Sequence, residues 1–190
     1  MAGPIKPDRQ SALPRIFGVC RECDLGPKVR GMIHTMVEAA DIRFPADDRE
    51  SAKPFLGSWV LVSFEHVLSS EEVLRPFGNT PSGLILYQSD GHMSAQVSVG
   101  SPTRFASDDP DRASADEAAG AWRTYFGYWG TFKVHSEKQI VVHRIEGSSF
   151  SNWIGTEQVR DFHFDEADRL ILEAQSSSVR YTLVWQRRIE

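Results

Sequence analysis

Gly57-Ser58-Trp59 opens a strand-like run, and Trp185-Gln186-Arg187 ends the last strand-like run of the chain. A Gly-x-Trp on the first strand and an Arg on the last are typical of a small up-and-down β-barrel that closes on itself. In such a barrel the guanidinium lies against the Trp ring, and the Trp fills one end. The two motifs therefore predict a cup with one closed end and one open mouth, a shape suited to a small apolar molecule.

Between these motifs the chain alternates between strand-like segments and short turns. Ser89-Asp90-Gly91 is a hairpin signal, because Gly91 can adopt the positive φ that a tight turn requires. Strands adjacent in sequence usually pair in space, and closing a meander removes its free edges. We therefore predict an all-β fold, an eight-stranded antiparallel up-and-down β-barrel. Its strands are predicted at residues 59–67, 84–88, 92–98, 129–135, 139–146, 157–164, 169–174 and 181–187.

One helical segment interrupts this meander between the third and fourth predicted strands, at residues 114–126. Ser114 and Glu117 have the spacing of a capping box, and an apolar stripe with helical spacing continues through Trp122 to Tyr125. We expect this short helix to close one end of the barrel, either as a movable lid or as a fixed plug.

Residues 1–54 have a different character from the rest, with six prolines and little strand-like alternation. They are predicted to form an N-terminal extension that is partly disordered or contributes one docked helix at residues 28–42, before a barrel domain at 55–190. Cys20 and Cys23 form one Cys-x-x-Cys pair, to which His34 could add a third ligand. A zinc site needs four ligands, so we expect reduced thiols and no metal site.

The overall composition limits the classes of partner. The net charge of −5 and the lack of a basic stripe argue against nucleic acid as a partner. No apolar run reaches the length of about 20 residues that a membrane span needs, and the first residues lack the order of a signal peptide. We therefore expect a cytoplasmic protein with no membrane span. No cofactor fingerprint occurs, so no cofactor is expected, and a homodimer is left open.

Four stretches resemble the lipocalin-like domain family of bacteria and fungi, which is similar to lipocalins in architecture. They are residues 56–65 (LGSWVLVSFE), 90–96 (DGHMSAQ), 125–131 (YFGYWGT) and, above all, 143–160 (HRIEGSSFSNWIGTEQVR). The resemblance extends from about residue 55 to 187 and implies a small β-barrel. The turn motif, signal peptide and disulfide of secreted lipocalins are absent from this sequence. Most members of the lipocalin-like family have no assigned activity, and some barrel proteins of related architecture are cyclases in natural-product pathways.

The segments 139–146 and 157–164 carry the residues with most chemical interest. A hairpin centred near Ser151 and Asn152 would pair three sets of residues across the two strands: His143 with Arg160, Ile145 with Gln158, and Val141 with Phe162. The other face of this hairpin is charged and belongs in water, so we expect these six side chains to point into the barrel. An Arg inside an apolar cup needs a carboxylate of the protein or an anionic ligand.

Glu65 is the protein carboxylate expected nearest to Arg160. It shares one face of the first strand with Trp59, so it points inward if Trp59 does, although the alternating face is equally apolar. In this hypothesis His143 and Arg160 anchor an acidic or carbonyl-bearing ligand, and Glu65 completes a polar floor. His143 should be neutral, because the positive charge of Arg160 disfavours an imidazolium. The alternative is that the same groups only hold the barrel together.

Six further residues are predicted to contact the ligand or line its cavity, and the inward-facing Gln158 is one of them. Trp153 lies in the connection between the two strands, at a strand end where a mouth would be; Met93, Tyr125 and Tyr181 are candidates to line the cavity, as is Tyr128. Aromatic and Met side chains at such spacings are more often plain core.

Three functions remain open from sequence alone. The first is binding of a small hydrophobic molecule with a polar or acidic head in the barrel cavity. The second is a cyclase or isomerase acting on a natural-product-like substrate, with His143 as acid or base, Arg160 stabilising negative charge and Glu65 as a further candidate. The third is a filled structural barrel without a ligand. No acid–base pair occurs at a recognisable spacing, so binding is favoured.

Overall fold

The structure, a computed structural model, describes residues 46–176 and 178–188. The predicted helix at 28–42 and the residues Cys20, Cys23 and His34 lie outside the described residues. Within the described part, no helix is long and apolar enough to span a bilayer.

Nine antiparallel strands form one sheet that closes on itself. In chain order they are β1 (Gly57–Leu68), β2 (Val73–Leu74), β3 (Ser82–Tyr87), β4 (His92–Ser98), β5 (Tyr125–His135), β6 (Ile140–Ser148), β7 (Glu157–Phe164), β8 (Arg169–Gln175) and β9 (Val179–Arg187). Neighbouring strands follow the order β2-β1-β3-β4-β5-β6-β7-β8-β9, and β1 also pairs with β9. The predicted eight-stranded up-and-down barrel is therefore confirmed. The added strand, β2, pairs with the far end of β1 and is too short to show alternation in the sequence.

The β1–β9 seam brings the two end motifs together, as the sequence predicted. Trp59 lies opposite Arg187, and the Arg187 guanidinium stands 4.0 Å from the centroid of the Trp59 ring. Arg187 also donates hydrogen bonds to the carbonyl oxygens of Leu56 (3.0 Å) and Pro54 (2.7 Å), and its Nε pairs with Asp168 at 2.9 Å. Arg187 therefore ties β9 both to the chain that enters β1 and to the β7–β8 turn.

A short segment before β1 closes this end of the barrel. Helix α1 (Ala46–Ala52) leads into a 3-10 turn (Lys53–Phe55), and Phe55 is fully buried among the core aromatic rings. The Trp59 indole N–H donates to the Phe55 carbonyl oxygen at 2.7 Å. Gly57 has φ of +114°, a conformation open to glycine, and this lets the chain swing from the turn into β1. The Gly-x-Trp motif therefore supplies both the bend and the plug.

A β-bulge divides β1 and exchanges its two faces. The pairing with β9 shifts between Leu61 and Ser63, so that Leu61 lies opposite Trp185 but Phe64 lies opposite Leu183. Directly opposed residues share a face, so Phe64 replaces Ser63 on the inner side after the bulge. Phe64 accordingly packs against the core. Side chains that a regular strand would direct inward beyond this point, Glu65 among them, point outward.

The predicted helix is present as α2 (Ala115–Thr124), between β4 and β5, which are the third and fourth strands of the barrel. None of its side chains is fully buried, and Trp122 is 58% exposed. The helix therefore does not plug the barrel with a buried side chain, and its role as a movable lid stays a prediction. The segment 105–114, which belongs to a separate compact unit, contains one 3-10 turn (Pro110–Arg112).

Replacing Arg187 with Met should lower the free energy of unfolding by about 1–3 kcal/mol, because it removes the hydrogen bonds to two carbonyl groups and the contact with Trp59. Urea unfolding monitored by Trp fluorescence measures this change. Arg188→Met is the matched control: Arg188 is adjacent and exposed, and its replacement should change stability by no more than about 0.5 kcal/mol. Equal effects of the two substitutions would contradict the closing role of Arg187.

Candidate ligand-binding site

The β6–β7 hairpin has the predicted faces but a different register. His143 lies opposite Gln158 and Val141 lies opposite Arg160, so the predicted pairing of His143 with Arg160 is wrong by two residues. The connection is asymmetric, because a 3-10 turn (Ser151–Trp153) and Gly155, with φ of +81°, occupy its β7 side. A shift by two residues keeps every side chain on its face. The inward direction of His143 and Arg160 is therefore unaffected.

Burial along the two strands confirms which face is inside. Val141, His143 and Ile145 are at most 1% exposed, and Phe162 packs against the core. The residues of the charged face are all exposed: Arg144, Glu146, Glu157, Asp161 and His163. The inner face of the hairpin thus carries His143 as its fully buried polar group, together with the partly buried Gln158 and Arg160.

His143 lies between two tyrosine hydroxyls. The Tyr87 hydroxyl is 2.8 Å from His143 Nε2, and the Tyr128 hydroxyl is 3.0 Å from His143 Nδ1. Tyr87 comes from the end of β3 and reaches His143 through the interior, while Tyr128 comes from β5, the strand beside β6. Both nitrogens of the imidazole are therefore engaged within the barrel.

The histidine is neutral, as the sequence predicted. Burial, with a further contribution from the positive charge of Arg160, lowers the pKa of His143 to about 3. Burial raises the pKa of Tyr87 well above its usual value and raises the pKa of Tyr128, although Arg160 acts in the opposite direction on both. At neutral pH the cluster of Tyr87, His143 and Tyr128 carries no charge, and the positive charge of Arg160 acts on all three of them.

Arg160 is partly buried at the edge of this cluster. Its guanidinium donates to the carbonyl oxygen of Val159 at 2.9 Å and lies 5.7 Å from the centroid of the Trp153 ring. None of the ion pairs seen among the described residues involves Arg160. The protein carboxylate that was expected to balance it is therefore not in contact with it.

Glu65 was the carboxylate predicted for that role, and the structure places it elsewhere. It pairs with Arg75, at 2.7 Å from Nη2 and 3.0 Å from Nε, on the outward side of β1. The bulge between Leu61 and Ser63 is the reason, because it separates the face of Glu65 from that of Trp59. Glu65 thus does not form a polar floor with His143 and Arg160.

Three of the other predicted residues lie near this cluster. Met93 is buried in the core, Gln158 lies opposite His143 and donates to the Thr156 hydroxyl at 3.0 Å, and Trp153 packs edge-on against Tyr128 at 5.7 Å. Phe126 adds a second aromatic contact to Trp153 at 5.0 Å. Trp153 thus covers the Tyr128 side of the cluster, at the strand ends opposite the end closed by Phe55.

Two predicted residues belong to other surroundings. Tyr125 is 48% exposed on the outside of β5, and Tyr181 packs edge-on against His66 at 4.7 Å on the β1–β9 seam. Neither contacts His143 or Arg160 in the described hydrogen bonds and ring contacts. We therefore leave both out of the candidate site.

Tyr87 is the site residue that sequence reasoning missed, and Tyr128 was named only as a possible lining residue. Tyr87 occupies the same face of β3 as the fully buried Ile85. A tyrosine at an inward position needs a hydrogen-bond partner for its hydroxyl. This requirement, together with the inward direction of His143, could have indicated that the Tyr87 hydroxyl is hydrogen-bonded to His143.

Two surface pockets lie apart from this cluster. One, of about 440 Å³, is formed by α1 and the β3–β4 turn, with Arg49 and Asp90 among its lining residues. The other, of about 320 Å³, lies at the opposite end of the barrel, between the end of β1 and the β8–β9 turn. Neither is lined by His143, Tyr128 or Arg160.

Comparison with known families agrees with this architecture. The sequence profile of the lipocalin-like domain matches residues 56–188, which include every strand of the barrel. The chain belongs to the lipocalin-like domain family. The resemblance noted in the sequence is thus confirmed, together with the barrel fold that it implied.

Comparison with curated proteins gave no significant match. Among solved structures, the chain is similar to a crystal structure of a mutant of the fluorescent protein UnaG, with 13% sequence identity and a TM-score of 0.37. The similarity covers 73% of this chain and 99% of that chain. At this level of similarity, the functional residues of that protein do not indicate functional residues in this chain.

Proposed function

We propose that this lipocalin-like barrel binds a small hydrophobic molecule whose polar or acidic head contacts Arg160. The observation that carries the proposal is a partly buried guanidinium for which the described residues provide no carboxylate. Removing a charge from water without a counterion is costly, and an anionic head would offset that cost.

The groups around Arg160 suit such a ligand. Trp153 and Phe126 are aromatic and partly buried, and Phe162 continues the apolar surface toward the core. Ligand sites commonly combine apolar walls with a few polar groups that fix orientation. Because Phe55 and Trp59 close the other end, the ligand enters beside Trp153, and Trp153 moves to admit it.

Two dyes that share one ring system test this proposal. 1-Anilinonaphthalene-8-sulfonate carries an anionic head, and N-phenyl-1-naphthylamine has the same rings without it. Replacing Arg160 with Leu should weaken binding of the sulfonate about 10-fold or more, because a charge-assisted contact is lost. Binding of the neutral amine should change little. Fluorescence titration of both dyes measures the two affinities.

Arg144→Leu is the matched control, since Arg144 lies on the exposed face of the same hairpin. It should leave both affinities unchanged. Failure of the wild-type protein to bind either dye favours the alternative of a filled structural barrel. Equal loss of both dyes in Arg160→Leu would show that Arg160 supports the fold rather than the head group.

The cyclase or isomerase alternative is less well supported by the site. A general acid or base works best when its pKa lies near the working pH. His143 has a pKa of about 3, and both of its ring nitrogens are already hydrogen-bonded. Catalysis therefore stays the alternative. A cytoplasmic location stays a prediction from the sequence, and a homodimer stays open.

A further inference from the structure

We infer that the hydrogen bonds of the Tyr87–His143–Tyr128 cluster run in one direction. Tyr87 donates to His143 Nε2, His143 Nδ1–H donates to the Tyr128 oxygen, and the Tyr128 proton remains for a ligand. Tyr128 and Arg160 then act together as donors to a head group that only accepts hydrogen bonds, such as a carboxylate. The ligand part of this inference rests on the proposed function, while the direction of the hydrogen bonds does not.

The direction begins at Tyr87, because its hydroxyl is buried and has a single hydrogen-bond partner among the described residues. Tyr87 is 2% exposed, and His143 Nε2 is the one hydrogen-bond partner of its hydroxyl among the described residues. If Nε2–H were the donor, the Tyr87 proton would be buried without an acceptor, which folded proteins rarely tolerate. Tyr87 therefore donates, and Nε2 accepts.

The position of the His143 proton determines the role of Tyr128 in its hydrogen bond. A neutral imidazole carries one proton, so an accepting Nε2 places that proton on Nδ1. The Tyr128 oxygen, 3.0 Å away, is then the acceptor. Tyr87 and His143 are positioning residues in this arrangement, since neither needs to touch the ligand.

The Tyr128 hydroxyl is left with an uncommitted proton on the side away from His143. Tyr128 is partly buried, and the described hydrogen bonds give its proton no other acceptor. The charge of Arg160 acts on the same hydroxyl, and Trp153 covers the ring. A ligand head at this point meets an O–H and a guanidinium as donors, so a carboxylate finds two partners, whereas an alkylammonium is repelled by the positive charge of Arg160.

The tautomer of His143 tests the direction in the ligand-free protein. Long-range 1H–15N correlation spectra distinguish Nδ1–H from Nε2–H, and the spectrum of His143→Gln assigns the signals. We expect Nδ1–H in the wild-type protein and a mixture of tautomers in Tyr87→Phe, where nothing fixes the proton. Finding Nε2–H in the wild-type protein overturns the direction. An unchanged Nδ1–H tautomer in Tyr87→Phe overturns the claim that Tyr87 sets this direction.

Dye binding and competition test the head group. Tyr128→Phe should weaken binding of 1-anilinonaphthalene-8-sulfonate about 10-fold, as expected for a lost hydrogen bond to a charged group, and leave N-phenyl-1-naphthylamine unaffected. Dodecanoate should displace the neutral dye at a concentration at least about 10-fold lower than dodecylammonium does.

The outcomes separate the two proposals. Equal competition by dodecanoate and dodecylammonium, or equal loss of both dyes in Tyr128→Phe, overturns the acceptor-only head group while binding itself stands. If the wild-type protein binds neither dye, the proposed function fails and the head-group inference fails with it. The tautomer measurement still decides the direction in that case.

Discussion

Replacing Phe55 with Ala should lower the free energy of unfolding by about 3–5 kcal/mol, the loss typical of a large aromatic removed from a core. Phe55 lies outside every strand, but it is fully buried. Its ring makes edge contacts with Tyr87, Phe162 and Phe164 at 5.4, 4.8 and 5.2 Å. The substitution would leave a cavity at the closed end, beside rings that the backbones of β3 and β7 hold in place. Chemical denaturation measures the change.

Phe105→Ala is the matched control for this substitution. Phe105 is 42% exposed, so the same chemical change should alter stability by no more than about 0.5 kcal/mol. If Phe55→Ala is as mild as the control, the segment before β1 is not part of the folded core. Should Phe55→Ala fail to fold, Phe55→Leu keeps most of the volume and should be destabilised by a smaller, measurable amount.

Phe55 also shows where sequence reasoning stopped short at the closed end. The Trp59–Arg187 contact was predictable, because both residues sit in strand-like runs at the two ends of the meander. A single Phe in a 3-10 turn shows no periodicity, so nothing in the sequence distinguished Phe55 from the extension before it. The domain boundary predicted at residue 55 stays a prediction.

Strand positions were predictable where alternation is strict. The segments 92–98 and 157–164 match β4 and β7 at both ends, since each alternates regularly between a more buried and a more exposed face. The first strand is different, because both of its faces are apolar between Trp59 and Phe64. Apolar alternation cannot locate a bulge in such a run. The assignment of Glu65 to the interior failed for that reason.

For the candidate site, the sequence predicted which side chains face the interior but not which of them contact each other. The inward direction of His143 and Arg160 followed from the charged face of their hairpin and survived a register error of two residues. The partners of His143 did not follow, because Tyr87 comes from a strand far from β6 in sequence. Cross-barrel contacts of this kind depend on closure and stagger, which local patterns do not encode.

Acidification from pH 6.5 to 5 should destabilise the wild-type protein by about 1.5 kcal/mol through His143 alone. The pKa of His143 is about 3 in the folded protein, whereas an unfolded His has a pKa of about 6.5. Between these values the unfolded chain binds a proton that the folded chain excludes. Stability is therefore fully present above about pH 6.5 and falls with pH at a limiting slope of about 1.4 kcal/mol per unit.

His143→Gln isolates this effect, because the variant keeps a polar side chain but does not titrate. We expect the pH dependence of its unfolding free energy between pH 6.5 and 5 to be flatter than that of the wild type by about 1.5 kcal/mol over the interval. His66, whose pKa is also lowered by burial, acts in the same direction in both proteins and cancels in the comparison. An NMR titration adds a direct reading, since His143 should stay neutral at pH 5 in the folded wild type. Parallel stability curves, or a titration midpoint near 6.5, would show that the imidazole reaches water and that the Tyr87–His143–Tyr128 cluster is not closed.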